Sequence, residues 1–318
     1  MFQALVSAAG RWVHELTWSL NRGQSSAAEA RPVLSASRQY RPLTRVLLTD
    51  GVSRTLFEEY AAHRDSSRGD EETGWLILGH RDETDAVALA TLPAGTQRQA
   101  GVAHVRFNSI GQAVGSRIVR QANRRLTILG VVHTHPGSLR HPSDGDYRAD
   151  NCWVGQLRGK EGIFGIGTAD GNPDDGAVVG RHPRPHVQTF GPLCLSWYAL
   201  GNRDYQYRPL PVELILGPDL ARPLHPVWTT IEAHAERLDR LARQQAGVIF
   251  EVADGRTEPA LAVTIPLAEP DSALRVLLEG KEVTYVLVRG QELLVADSHE
   301  TRVDRGVYAL LAELAALD

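Results

Sequence analysis

The sequence predicts an α/β sandwich followed by a small α+β domain. Three observations carry this. From residue 45 to about 200, short apolar runs of strand length alternate with amphipathic runs of helical period, the pattern of a layered α/β domain. A proline-rich stretch, "RPLPVELILGPDLARPLHP" at 208–226, then interrupts the chain. Beyond it several short strands follow one another between two helices. The 318 residues exceed one average domain, so a division into two is expected.

Each element has its own signal. Phe2, Leu5, Val6, Ala9, Trp12, Val13 and Leu16 recur at helical spacing and predict an amphipathic N-terminal helix. Residues 22–42, rich in Ser, Ala, Arg and Pro, read as a linker, so 1–42 stand apart as helix plus linker. The first domain is expected over 43–210. "RVLLT" (45–49) is a short strand, and 52–63 a helix with Leu56, Phe57 and Tyr60 on one side. "GWLILG" (74–79) and "AVALATL" (86–92) are buried strands, and 110–123 is helical. "LTILGVVH" (126–133) is a buried strand, after which Ser143 opens a helix to about Leu157. "GIFGIGTA" (162–169), "LCLSWYAL" (193–200) and "YQYRPL" (205–210) complete the strands of this domain. Residues 211–318 form the accessory domain. It has a helix over about 226–245, strands near 247–253, 259–265, 283–288 and 291–296, and a closing helix over 304–316. The last two strands are joined by the hairpin signal "VRGQE".

Composition excludes several function classes. A net charge of −4, with both signs mixed along the chain, gives no basis for nucleic-acid binding. No run approaches the ~20 apolar residues of a membrane span. Arg11, His14 and Glu15 interrupt the only N-terminal stretch that resembles a targeting segment, so a cytoplasmic protein is expected. Cys152 and Cys194 lack CxxC spacing, which removes a cysteine zinc site and a disulfide framework; buried reduced thiols are expected. Of the 34 basic residues only Lys160 and Lys281 are lysines. A GC-rich genome accounts for that bias; avoidance of lysine beside a lysine-modifying system is the sharper alternative.

The stretch "GVVHTHPGSLRHPSDGD" (130–146) concentrates the chemistry. Residues i and i+2 of an extended segment point to one side, so His133 and His135 can converge on one ion where the strand ends. Ser143 to Asp146 reads as a capping box opening a helix. The same geometry places Asp146 in the first helical turn, where the dipole favours a carboxylate. Pro136, Gly137 and Pro142 shape a bend able to bring that turn back over the strand end. Two histidines and a carboxylate with a fourth position open form a catalytic zinc set. A hydrolase of this kind needs a general base. Glu72, in "EETGWLILG", is the candidate, while Glu71 faces the other way. His141 lies close enough to line the cleft but is not expected to be a ligand, and Thr134 is given a packing role.

The order of these residues resembles the JAMM motif of the MPN+ zinc metalloproteases. Gly130 to Pro136 matches the family's Gly-x-x-His-[Ser/Thr]-His-Pro, Pro142 to Asp146 its Pro-Ser-x-x-Asp, and "ETGWLILG" its upstream glutamate and strand. Trp75 replaces a second glycine often found there. The resemblance covers about 43–205 and places the chain with the prokaryotic deubiquitinase-like branch. It implies an MPN-type αβα sandwich around a mixed sheet, related to the cytidine-deaminase fold. It further implies one catalytic Zn²⁺ on His133, His135 and Asp146, with Glu72 moving the water's proton and Ser143 donating to the oxyanion. The activity implied is cleavage of the amide after the C-terminus of a ubiquitin-like protein, in a bacterial ubiquitin-like conjugation system. The substrate partner is then that protein or its conjugates. Loops at about 93–108 and 170–191 would select it, and residues 211–318 could engage a conjugating or activating enzyme. Trimming of a small sulfur-carrier protein and a non-catalytic MPN scaffold are the alternatives. Amidohydrolases and metallo-β-lactamases also use HxH, but their further His and Asp ligands are missing.

Overall fold

The computed structural model describes residues 40–101, 104–171, 181–245 and 247–317. The expected N-terminal helix and all but the end of the linker lie outside these residues. The described residues divide into two compact units, one containing those from Tyr40 to Ser109 with those from Asn123 to Arg222, the other Ile110–Ala122 with those from Pro223 to Leu317.

The first unit begins with β1 (Arg45–Thr49), α1 (Asp50–Arg64), β2 (Gly74–Arg81), β3 (Asp85–Pro93), β4 (Gln99–Gly101) and β5 (His104–Arg106). Helix α2 (Ser109–Ala122) follows and groups with the second unit. The first unit resumes with β6 (Thr127–Thr134), α3 (Asp144–Asn151), β7 (Glu161–Thr168), β8 (Arg181–Arg184), β9 (Val187–Phe190), β10 (Leu193–Gly201), β11 (Arg208–Pro209) and β12 (Val212–Ile215). Its large sheet runs β12-β1-β3-β2-β6-β7-β10-β9-β8, with β11 on β10. The sheet is mixed: β1 is parallel to β3 and β12, and β6 to β7, while β2 is antiparallel to both β3 and β6.

Local chemistry explains the elements that frame the site. Thr49 caps α1 by accepting from the Val52 N–H at 3.2 Å, and the helix buries Val52, Leu56, Phe57 and Tyr60 along one stripe. Every residue of β7 is buried, as a strand covered on both faces requires. Gly130 allows β6 to approach β7, because a Cβ there would lie 1.7 Å from the Ile163 carbonyl oxygen. Trp75, where the family often has glycine, is 2 % exposed and donates from Nε1 to Glu59 Oε2 at 2.7 Å, so it fills core volume.

The second unit carries an antiparallel meander of β13 (Ile249–Asp254), β14 (Pro259–Pro266), β15 (Ser272–Glu279), β16 (Glu282–Arg289) and β17 (Glu292–Val295). It also holds α4 (Trp228–Gln244) and α5 (Val303–Leu317). Gln121 of α2 accepts from the Phe250 N–H at 3.1 Å and donates to its carbonyl at 2.9 Å, satisfying both backbone groups of one residue of the edge strand β13.

Several expectations shift. The helix starting at Ser143 ends at Asn151. Two 3₁₀ turns, Val154–Gln156 and Arg158–Lys160, replace its remainder, the second with Gly159 left-handed at φ 77°. "YQYRPL" supplies only the two paired residues of β11. Strand β15 was not anticipated, although its burial alternates strictly from Ser272 to Glu279. The first compact unit extends to Arg222, because β12 pairs with β1 and the segment after it is tied down by buried Asp219. That carboxylate accepts from the Thr91 N–H at 3.1 Å and the Ala221 N–H at 2.9 Å. Cys194 is buried as expected, but Cys152 is exposed, since it caps the end of α3 on the surface.

Candidate metal centre

The site forms where β6 ends beside the start of β2. The register pairs Gly74 with His133, and Thr134 N–H donates to the Thr73 carbonyl at 2.9 Å, which carries the pairing one residue further. The next step along that register sets Glu72 opposite His135. Residues two apart on a strand share a face, so His133, His135 and Glu72 project from one side. Gly74 is required between them, since a Cβ would sit 2.6 Å from the Val132 carbonyl oxygen.

Asp146 reaches this face from α3. Ser143 is the N-cap of that helix, and the capping box is complete: Ser143 Oγ accepts from Asp146 N–H at 3.2 Å, and Asp146 Oδ2 accepts from Ser143 N–H at 2.7 Å. Within this set His133 Nε2 lies 3.1 Å from His135 Nε2 and 3.2 Å from Asp146 Oδ1, and His135 Nε2 lies 3.4 Å from Asp146 Oδ2. The three side chains form a candidate ion site with all donor atoms within 4.8 Å of one another. The separations suit tetrahedral zinc, whose ligands at ~2.0–2.1 Å from the ion stand roughly 3.3–3.4 Å apart. The second nitrogen of His135 faces the Leu139 carbonyl oxygen at 2.8 Å. A proton held there leaves Nε2 with its lone pair toward the centre.

The electrostatics follow from burial and crowding. Burial opposes a charge on His133, but the hydrogen bond and charge of Asp146 outweigh it and raise the imidazole to about 9. Burial also opposes the charge of Asp146, yet hydrogen bonds with His133, His135 and Ser143 hold its carboxyl well below the usual carboxylate range. Glu72 is 5 % exposed, and burial pushes its carboxyl up to about 7 against the pull of both histidines. Its backbone is pinned: Glu72 N–H donates to the Gly101 carbonyl at 2.8 Å, and its own carbonyl accepts from Arg98 Nε at 3.3 Å.

The structure therefore brings His133, His135, Asp146 and Glu72 to one face. Ser143 is at hand, but its hydroxyl donates to Asp146 Oδ2 at 2.7 Å, so serving a carbonyl requires rotation away from that carboxylate. Thr134 does more than pack, since its Oγ1 accepts from the Thr73 N–H at 3.0 Å and locks the start of β2 to β6. His141 is exposed and outside the ligand cluster. Sequence reading missed Asp150, one turn after Asp146. Burial pushes its carboxyl up to about 7 despite hydrogen bonds from Tyr207 Oη (2.7 Å) and Trp153 Nε1 (3.2 Å), and it acts electrostatically on His133. The i, i+4 spacing from Asp146 was the available signal.

Residues 53–174 match the family model described as prokaryotic homologs of the JAB domain. Over that span the chain is similar to this family. The matched span holds all five candidate site residues, and the mixed α/β architecture agrees with the expected MPN-type fold. Among solved structures, a protein of Desulfitobacterium hafniense is similar at 16 % identity and TM-score 0.36, covering 55 % of this chain and 95 % of its own. A JAB1/MPN domain protein from Archaeoglobus fulgidus is similar at 16 % identity and TM-score 0.24, covering 54 % of this chain and 99 % of its own. The search of curated proteins found no match. Among the described residues, no helix is long and apolar enough to cross a membrane.

Proposed function

We propose that the JAB domain is a zinc-dependent peptidase or isopeptidase acting on the amide that follows the C-terminus of a ubiquitin-like protein. The observation that carries this reading is the convergence of His133, His135 and Asp146 beside a buried Glu72 of raised pKa. Two imidazole nitrogens and a carboxylate aimed at one point are a donor set for a cation, and their N/O chemistry suits zinc. A zinc ion held there supplies Lewis-acid activation of water and of the amide carbonyl. The remaining work falls to the chain. Glu72 accepts the proton of the attacking water and returns it to the leaving amine. A carboxyl near neutrality suits both halves of that transfer. Ser143, once turned from Asp146, donates to the carbonyl oxygen as charge develops on it. The resemblance of the motif to deubiquitinating metalloproteases supports a ubiquitin-like tail as the acyl side, and that tail would add as an extended strand.

The test is metal analysis of the purified protein, then cleavage of a ubiquitin-like fusion by wild type and by Glu72→Ala. The reading expects about one zinc per chain in both, and a loss of at least ~10²-fold in rate in the variant. Bound zinc with turnover unchanged by Glu72→Ala removes Glu72 as the base. Neither zinc nor cleavage leaves only a scaffold role.

A further inference from the structure

A second feature adjoins Ser143. A cavity of about 230 Å³ lies against the first turn of α3 and the segment preceding β11, and Tyr147, Tyr198, Tyr205 and Tyr207 supply its aromatic wall. Their arrangement is edge-to-face: Tyr207 packs at 6.3 Å from Tyr147 and 6.4 Å from Tyr198, at interplanar angles of 79° and 73°. Three of the hydroxyls are committed elsewhere. Tyr147 donates to the Asp204 carbonyl at 3.0 Å, Tyr198 to the Arg140 carbonyl at 2.8 Å, and Tyr207 to Asp150 at 2.7 Å. Those three residues therefore offer ring surface and not phenolic donors, while Tyr205 stands exposed at the rim. Asp144 is the one lining residue of fixed charge. At this size the cavity falls below the ~300–1,000 Å³ of small-molecule sites and is suited to a single side chain.

We infer that this cavity is a substrate subsite that takes a basic side chain, arginine or lysine, lying beside the scissile amide. The aliphatic stem of such a side chain packs on tyrosine rings, and its cationic head is attracted by ring faces and by the Asp144 carboxylate. A phenylalanine would gain nothing from the exposed Asp144 carboxylate, and a glutamate would face it with like charge. Ser143 connects the two places, because it lines the cavity and hydrogen-bonds the candidate ligand Asp146. The inference rests on the peptidase reading for its role in turnover, whereas the binding itself can be read separately.

The test uses the full chain with Glu72→Ala, loaded with zinc and titrated with N-acetyl-arginine amide, N-acetyl-phenylalanine amide or N-acetyl-glutamate amide. Tyrosine ring resonances report binding. The arginine probe is expected to give saturable shifts at Tyr147, Tyr205 and Tyr207, weakened about three- to tenfold by Asp144→Asn and by Tyr205→Ala. Tyr205 is 94 % exposed, so its truncation leaves the fold intact. Equal or tighter binding of the phenylalanine or glutamate probe overturns the inference, as does the absence of saturable shifts with arginine. Insensitivity to Asp144→Asn overturns it too. A parallel assay gives wild type fluorogenic peptides with arginine, alanine or glutamate on either side of the scissile bond. The arginine peptide should gain through KM. If no peptide is cleaved yet arginine binds as described, the peptidase reading falls and the cationic pocket stands. If all three are cleaved alike without saturable arginine binding, the subsite falls and the peptidase reading stands.

Discussion

Glu72 shows how one side chain can be legible in sequence while its chemistry is not. Its place before "GWLILG" was readable, but the burial that pushes its carboxyl up to about 7 comes from the fold. A base must be ionised to accept a proton, so kcat/KM should rise with pH through the carboxyl's apparent pKa. That inflection is expected between the ordinary 4.5 and about 7, since a bound cation favours the carboxylate. A pH–rate profile checks this, and Glu72→Gln should remove the inflection with most of the rate. The histidines carry a second consequence. In the metal-free protein the raised pKa of His133 means a proton stabilises the fold fully below 6.5, an effect lost as pH rises toward about 9. On the proposed reading, zinc would take the same nitrogen. Uptake at pH 7 should therefore release a proton, and the release should fade above about pH 9. Calorimetry in buffers of different ionisation enthalpy measures the count. Zinc uptake at pH 7 with no proton released would contradict the pairing of His133 with Asp146.

At the scale of elements, the site depends on three backbones lying close. β6 lies between β2 and β7, and Gly130 and Gly74 are the residues that permit the approach. Gly130→Ala puts a methyl group onto the Ile163 carbonyl, and rigid strands on both sides leave little room to relax. The expected cost is about 3 kcal/mol or more of stability, read as a lower denaturation midpoint, together with weaker zinc retention as His133 shifts. Unchanged stability would mean that the β6–β7 pairing yields more easily than its geometry indicates. The strands themselves were readable because β2, β6, β7 and β10 are long apolar runs. The short hairpin β4–β5 and strands β8 and β9 were not, since they carry no comparable apolar run. Helix α3 was readable at its start, where Ser143 and Asp146 form the cap, and misread at its end. No proline or isolated glycine cap marks Asn151, and the 3₁₀ turns that follow begin after Trp153 and set Gly159 against Tyr40.

For the whole molecule, zinc held only by the folded chain must stabilise it. Zinc at about a hundred times its dissociation constant adds ~2.7 kcal/mol, so chelation should lower Tm and zinc restore it, with Asp146→Asn indifferent to both. Thermal unfolding with and without chelator reads the effect. The compact units are not contiguous in sequence. Helix α2 and the second unit are far apart in sequence, and only contacts such as Gln121 with Phe250 reveal that they group together. The sequence alone determined the alternating α/β order and offered the JAMM-like candidate ligands and the candidate base, because those depend on residue type and short spacing, which local chemistry constrains. Tertiary structure decided the rest: the register that sets Glu72 opposite His135, the burial that perturbs both carboxyls and His133, and the tyrosine cavity beside Ser143. The register arises where β2 meets β6 and the cavity where α3, β10 and the segment before β11 meet, and no short stretch of sequence contains either meeting.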